Sequence, residues 1–169
     1  MRRIASKGEK WGRAKGITPY DVMNTEDIMA LPIADLADGN CVLFLWVTCP
    51  LLPDALRVMG AWGFTYKTKA FCWVKQNPTG FGLWAGLGYW TRGNTEDCLL
   101  GVKGKLPRKD RSVYQALLSP VMEHSHKPSI VRERIVQMMG DLPRIELFAR
   151  QKVEGWDCWG NEVESDITL

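Results

Sequence analysis

The sequence CVLFLWV at residues 41–47 is an unbroken apolar run that follows the turn residues Gly39-Asn40. A run without alternation predicts a strand covered on both faces, and such strands are typical of parallel sheets. Apolar residues then recur at helical spacing over 52–62, with Pro53 in the first turn and Gly63 as the expected C-cap. This part of the chain is therefore predicted to be a strand followed by a helix.

Further predicted strands, helices and one long loop lie before and after this strand and helix in the sequence. A loop at residues 80–93 contains five glycines and two tryptophans, and loops of that length in compact domains are usually functional. Because strands and helices alternate, the predicted class is α/β. The other predicted elements are a short helix at 24–31, strands at 66–75 and 97–102, a helix at 128–139 ending at Gly140, and a strand at 144–149.

Composition is that of a single globular domain spanning residues 1–169. The chain is 46% hydrophobic with a formal net charge of +3, and residues 1–20 are predicted to be flexible or ordered by a ligand. Five cysteines without C-x-x-C spacing predict neither a disulfide framework nor a zinc cage, and therefore a cytoplasmic protein. No apolar stretch approaches the roughly 18 residues of a membrane span, so no membrane partner is expected.

Charged and polar groups at two places could bind a ligand. Lys127 precedes a predicted helix, whose N-terminus favours an anion such as a carboxylate or phosphate, although a surface pair with an acid such as Glu123 is the plainer interpretation. Arg150 and the Asn161-Glu162 pair follow the last predicted strand, where α/β proteins bind ligands. The alternative is that this C-terminal stretch is a solvated tail folded back on the core. The H-x-H motif at 124–126 has no nearby ligands to complete a metal site.

Together these segments resemble the MT-A70 family of adenine methyltransferases, particularly its phage and bacterial members. The resemblance covers nearly the whole chain and implies a Rossmann-like methyltransferase sheet with helices on both faces. The matching segments are residues 18–23, 43–48, 62–64, 73–75, 88–92, Glu96, 101–104, 124–128, 146–150, 155–156 and 159–162.

The resemblance also implies roles for individual residues. The implied cofactor is S-adenosyl-L-methionine: Lys127 would contact its methionine carboxylate, Arg150, Asn161 and Glu162 its ribose and adenine, and Phe148 would line the cleft. The implied reaction is attack of adenine's exocyclic amine on the sulfonium methyl group, after the base has left any duplex. The positions on the target-adenine side are Trp46, Thr48, Pro50, Trp90 and Glu96.

One family feature does not occur in this sequence. MT-A70 proteins are expected to bind the target amine with an Asp-Pro-Pro-Trp tetrapeptide, and neither it nor an Asn-Pro-Pro-aromatic variant is present, so no catalytic residue is identified. Since that tetrapeptide ends a central strand of the family's sheet, the resemblance also predicts that one central strand is missing. We expect a methyltransferase domain with a start assigned too late or a shortened gene, which needs upstream residues for activity.

Two alternatives remain open from sequence. The chain could be a non-catalytic nucleic-acid-binding protein that uses the tryptophan-containing loop at 80–93 and basic residues, or a subunit completed by another chain at unpaired strand edges. The partner is expected to be nucleic acid, with DNA favoured over RNA by the phage-like match alone. The basic residues are Lys7, Lys10, Arg13, Lys15, Lys103, Lys105, Arg108, Lys109 and Arg111.

Overall fold

The computed structural model describes residues 22–123 and 126–169. The segment 1–20, predicted to be flexible, lies outside the described residues. The described chain divides into two compact units: unit 1 contains residues 22–106 and 115–123, and unit 2 contains residues 107–114 and 126–169. The prediction of one domain across residues 1–169 stays a prediction.

Unit 1 is built on a mixed four-stranded sheet. Its strands are β1 (Cys41–Val47), β2 (Thr65–Gln76), β3 (Thr95–Lys103) and β4 (Ala116–Pro120). Their order is β1-β3-β2-β4, with β3 antiparallel to both β1 and β2, and β4 parallel to β2. β1, β2 and β4 therefore run in the same direction, and β3 runs against all three.

The prediction that residues 41–47 pair in a parallel sheet is wrong. β1 pairs with β3 antiparallel, from Cys41 opposite Lys103 to Val47 opposite Asp97. β1 is also an edge strand, and only Val47 in it is buried. A continuous apolar run predicts that a strand forms, but it does not determine the direction of the strand. That direction depends on which segment pairs with it.

The helices of unit 1 are α1 (Thr25–Met29), α2 (Ile33–Leu36), a 3-10 turn (Cys49–Leu51) and α3 (Leu52–Ala61). Two of them, α1 and α3, begin and end close to the predicted residues, whereas α2 and the 3-10 turn were not predicted. The Asn24 side chain accepts a hydrogen bond from Asp27 N–H at the start of α1. After α3, Gly63 has φ of 81° and Phe64 N–H bonds to Met59 O, as in a Schellman motif.

The core of unit 1 includes the end of α3 and the middle of β3. Met59 and Phe64 are 1% and 6% exposed. A Cβ atom placed on Gly101 of β3 would lie 2.8 Å from Met59 Sδ and 3.1 Å from Phe64 Cβ. α3 can therefore approach β3 closely because residue 101 carries no side chain.

Unit 2 contains α4 (Ile130–Met139) and a parallel pair, β5 (Ile145–Leu147) with β6 (Asp157–Trp159). The predicted helix start at residue 128 is two residues early, because bonds of the i to i+3 type close the first turn at Pro128 and Ser129. The predicted strand 144–149 is shorter than expected because Phe148 leaves extended geometry at φ of 57°.

The predicted α/β class is confirmed, and a mixed sheet with helices is consistent with a Rossmann-like methyltransferase fold. The missing central strand stays a prediction. Within residues 22–123 and 126–169, no helix has both the length and the apolar character needed to span a membrane.

The glycine at position 101 gives a test of the packing between α3 and β3. Gly101→Ala should lower the free energy of unfolding by about 1–3 kcal/mol, because its Cβ overlaps Met59 and Phe64. Gly60→Ala is the control, since it lies within α3 with nothing within 4 Å of the added Cβ, and it should stabilise the protein by about 0.5–1 kcal/mol. Urea unfolding measures both, and equal stability of the two variants would contradict this packing.

Candidate functional site

Four strand ends of unit 1 meet at one edge of the sheet. Val47 at the end of β1 lies opposite Asp97, and Val74 near the end of β2 lies opposite Thr95 at the start of β3. β4 ends beside β2, with Gln76 opposite Pro120. This edge, where β1, β2 and β4 end and β3 begins, is called the carboxyl edge below.

The carboxyl edge brings together four of the five residues predicted for the adenine side. Trp46 is the second-last residue of β1, and Thr48 and Pro50 follow that strand as exposed residues. Glu96 is the second residue of β3. Because Trp46 lies opposite Cys98, two residues from Glu96, Trp46 and Glu96 project from the same face of the sheet.

Glu96 is the buried charged side chain of the described residues, with 6% exposure. Its Oε2 atom lies 2.9 Å from Nζ of Lys75, near the end of β2. The Lys75 ammonium also lies 4.9 Å from the centre of the Trp73 ring. The carboxylate is therefore held by an ion pair supported by an aromatic face.

The aromatic loop, residues 77–94, leaves and re-enters the sheet at the carboxyl edge. Trp84 N–H donates to Lys75 O, and Lys75 N–H donates to Asn94 O. Trp90, the fifth predicted adenine-side residue, lies in this loop with its ring 90% exposed and stacked edge-on against Tyr89 at 5.3 Å. The loop thus presents rings to solvent beside the edge that carries Glu96.

Two glycines fix the shape of the aromatic loop. A Cβ atom on Gly86 would lie 2.1 Å from Gly93 O, and one on Gly88 would lie 1.8 Å from Thr91 O. Such backbone contacts leave no room for any side chain. The two glycines therefore allow the backbone of this loop to pack closely on itself.

Unit 2 places four of the five predicted cofactor residues after the ends of its two parallel strands. Phe148 and Arg150 follow β5, and Asn161 and Glu162 follow β6. Arg150 Nε donates to Glu162 Oε2 at 2.5 Å, and both side chains are about one third exposed. The carboxyl end of this parallel pair, the end at which α/β proteins commonly bind ligands, thus carries a guanidinium, a carboxylate and an amide.

Two backbone features hold this end of unit 2 together. Phe148 has φ of 57°, a conformation that costs a non-glycine residue energy and is often found at binding sites. Its ring, 41% exposed, meets Trp159 edge-on at 5.3 Å. A Cβ atom on Gly160 would lie 2.3 Å from Ala149 O, so the two strand ends can approach closely only with glycine at residue 160.

Lys127 is the fifth predicted cofactor residue and lies in unit 2, three residues before α4. Its side chain is partly buried and follows the partly buried His126. His124 lies outside the described residues. In the part of the chain that the structure describes, no three His, Cys, Asp or Glu side chains are grouped as metal ligands would be.

The structure also shows functional groups that the sequence did not predict. Asp166 accepts hydrogen bonds from Cys158 N–H and Cys158 Sγ, and its Oδ1 atom lies 2.7 Å from Lys152 Nζ. The Lys152 ammonium and the Cys158 donors lower the pKa of Asp166 to about 2. No local motif marks this contact, since its partners are eight and fourteen residues apart in sequence.

An open groove in unit 2, of about 560 Å³, lies beside this contact. Its lining includes Arg144, Lys152, Trp156 and Asp166. The Arg144 guanidinium lies 5.6 Å from the centre of the Trp156 ring. None of the five predicted cofactor residues lines this groove. Four of them instead follow the ends of β5 and β6.

Comparison with known proteins gives one family and several relatives. The family model described as MT-A70 matches residues 7–162. The type II methyltransferase M.MunI of Mycoplasma sp is 36% identical over 148 residues, which are 85% of this chain and 60% of that protein. The N(6)-adenosine-methyltransferase catalytic subunit METTL3 of Homo sapiens is 29% identical over 150 residues, 86% of this chain and 26% of that protein.

A plant relative is similar to this chain over a stretch as long as the one that matches the human protein. The N(6)-adenosine-methyltransferase MT-A70-like protein of Arabidopsis thaliana is 29% identical over 150 residues, which are 86% of this chain and 21% of that protein. The chain therefore spans about three fifths of the bacterial relative and about a fifth to a quarter of the two eukaryotic relatives.

Proposed function

The chain belongs to the MT-A70 family, and we propose that it serves S-adenosyl-L-methionine-dependent methyl transfer to the exocyclic amine of adenine in nucleic acid. One observation carries the proposal furthest: four of the five expected cofactor residues follow the ends of two adjacent parallel strands, β5 and β6. Ligands of α/β proteins bind at such ends.

The groups on unit 2 fit the parts of this cofactor. The Glu162 carboxylate can accept hydrogen bonds from both hydroxyls of a ribose. The Phe148 ring is partly exposed and can pack against the adenine of the cofactor. Lys127 offers an ammonium for the methionine carboxylate. Because Arg150 and Glu162 pair with each other in this structure, a ribose would share or replace one of their contacts.

The groups on unit 1 fit an adenine acceptor. When bound, the cofactor supplies a methyl group on a sulfonium, which the adenine amine attacks. The amine is a weak nucleophile because its lone pair is delocalised into the ring, so acceptors for its hydrogens help the reaction. We assign Glu96 as one hydrogen-bond acceptor, Trp46 and Trp90 as stacking faces, and Thr48 and Pro50 as walls of the adenine side.

We propose DNA as the polymer and the cytoplasm of a bacterium or of a phage-infected host as the location. The support is similarity to a Mycoplasma type II methyltransferase, which at 36% identity exceeds the 29% identity to the human and Arabidopsis proteins.

Ligand dissection tests the cofactor assignment. Lys127→Met should weaken S-adenosylhomocysteine binding about 10- to 100-fold and leave adenosine binding unchanged, because only the first ligand carries the carboxylate. Glu162→Gln should weaken binding of both ligands. Isothermal titration calorimetry measures these affinities, with Lys152→Met, a half-exposed lysine paired to Asp166, as the unaffected control.

Equal losses of both ligands in Lys127→Met would contradict its contact with the carboxylate. Failure of the unmodified chain to bind S-adenosylhomocysteine, together with tight and salt-sensitive DNA binding, would replace the proposal by a second one. That second function is non-catalytic nucleic-acid binding, which the exposed rings of the aromatic loop favour.

The aromatic loop predicts how nucleic acid binds. Trp90→Ala should weaken binding of single-stranded DNA by about 1–3 kcal/mol, because one exposed stacking face is lost. Tyr114→Ala removes a ring that is 81% exposed on unit 2 and is the matched control. Fluorescence anisotropy at two salt concentrations, with DNA and RNA of one sequence, should show tighter DNA binding. Equal effects of the two substitutions would contradict the role of Trp90.

A further inference from the structure

We propose that Lys75 is a positioning residue that holds Glu96 and the aromatic loop in the geometry that selects adenine. The inference rests on the proposed function and adds to it a residue that the family resemblance did not assign. Its basis is the juxtaposition of the Lys75 ammonium, the buried Glu96 carboxylate and the Trp73 ring at the carboxyl edge.

A chain of contacts that starts at the Lys75 side chain links β3, β2 and β4. Its ammonium lies 2.9 Å from Glu96 Oε2 on β3 and 4.9 Å from the centre of the Trp73 ring on β2. The Trp73 indole N–H donates to Ser119 O on β4 at 2.9 Å, and the ring is 3% exposed. The carboxylate is thus fixed through a chain of contacts that ends in the backbone of β4.

The backbone of Lys75 bonds to the middle and to the last residue of the aromatic loop. Lys75 O accepts from Trp84 N–H, and Lys75 N–H donates to Asn94 O, each at 2.8 Å. Gln76 and Leu83 form an adjacent bridge. One residue therefore fixes a buried carboxylate with its side chain and the loop that carries Trp90 with its main chain.

Stability alone gives no reason for this ion pair. Removing two charges from water costs about as much as their attraction returns, and apolar pairs of similar volume are often equally stable. The ion pair does, however, hold the carboxylate of Glu96 in one orientation. A carboxylate held in one direction can accept hydrogen bonds from an adenine amine and cannot do so from a purine that lacks the amine.

A second ion pair on the same strands provides a matched control. Lys69 on β2 lies 2.8 Å from Asp97 on β3, where the lysine is 38% and the aspartate 17% exposed. Asp97 lies next to Glu96 in sequence, so it projects from the opposite face of the sheet. Removing the Lys69 charge perturbs the same two strands without altering the contact of Glu96.

The experiment compares two single-stranded oligodeoxynucleotides. One has a single adenine among thymines, and the other has at that position the base purine, which is adenine without its exocyclic amine. Fluorescence anisotropy gives the ratio of their dissociation constants. For the unmodified chain we expect a preference for adenine of about tenfold, the size of one well-placed base contact. Lys75→Met should bring the ratio close to one, Lys75→Arg should largely retain it, and Lys69→Met should leave it unchanged.

The outcomes separate this inference from the proposed function. An unmodified chain with equal affinity for both oligonucleotides overturns both proposals. A preference in the unmodified chain that persists in Lys75→Met overturns the positioning role alone, even if that variant melts at a lower temperature. Where thermal melting shows that Lys75→Met does not fold, Lys75→Gln replaces it. It keeps a donor near Glu96 without the charge, so a smaller fall in the ratio is expected, and an unchanged ratio overturns the positioning role.

Discussion

The antiparallel placement of β3 between β1 and β2 is the constraint on which the candidate adenine site depends. Because β3 runs against both neighbours, its first residues lie beside the last residues of β1 and β2. Trp46 and Glu96, fifty residues apart in sequence, are thereby brought to one face and one edge. The fold of unit 1 thus gathers at the carboxyl edge the groups that the family resemblance assigns to the target base.

Unit 2 uses a comparable device with fewer residues. A parallel pair of three-residue strands ends at Leu147 and Trp159, and the residues that follow both ends are four of those proposed to contact the cofactor. α4 is joined to β5 by the paired hydrogen bonds of Arg132 with Glu146, at 2.7 and 3.0 Å. A short sheet is therefore braced by a helix, and close backbone approach at Gly160 fixes its carboxyl end.

The sequence predicted the elements better than their pairing. Capping at Asn24 and Gly63, and strands near 66–75 and 97–102, followed from local rules and are confirmed. The antiparallel partners of the β1 residues lie 50 to 62 positions further along the chain, and β4 and β6 are too short to give a periodic signal. Lys75 lies within the segment 73–75 that resembles the family, but its pairing with Glu96 depends on the register of β2 on β3.

The most direct test of this account is hydrogen–deuterium exchange of the chain with and without single-stranded DNA containing one adenine. Slower exchange is expected at the carboxyl edge, in residues 47–51 and 76–96, because the strand ends and the aromatic loop hold the base. Protection confined to the opposite edge of the same sheet, in residues 39–41, 64–66 and 103–105, would contradict it.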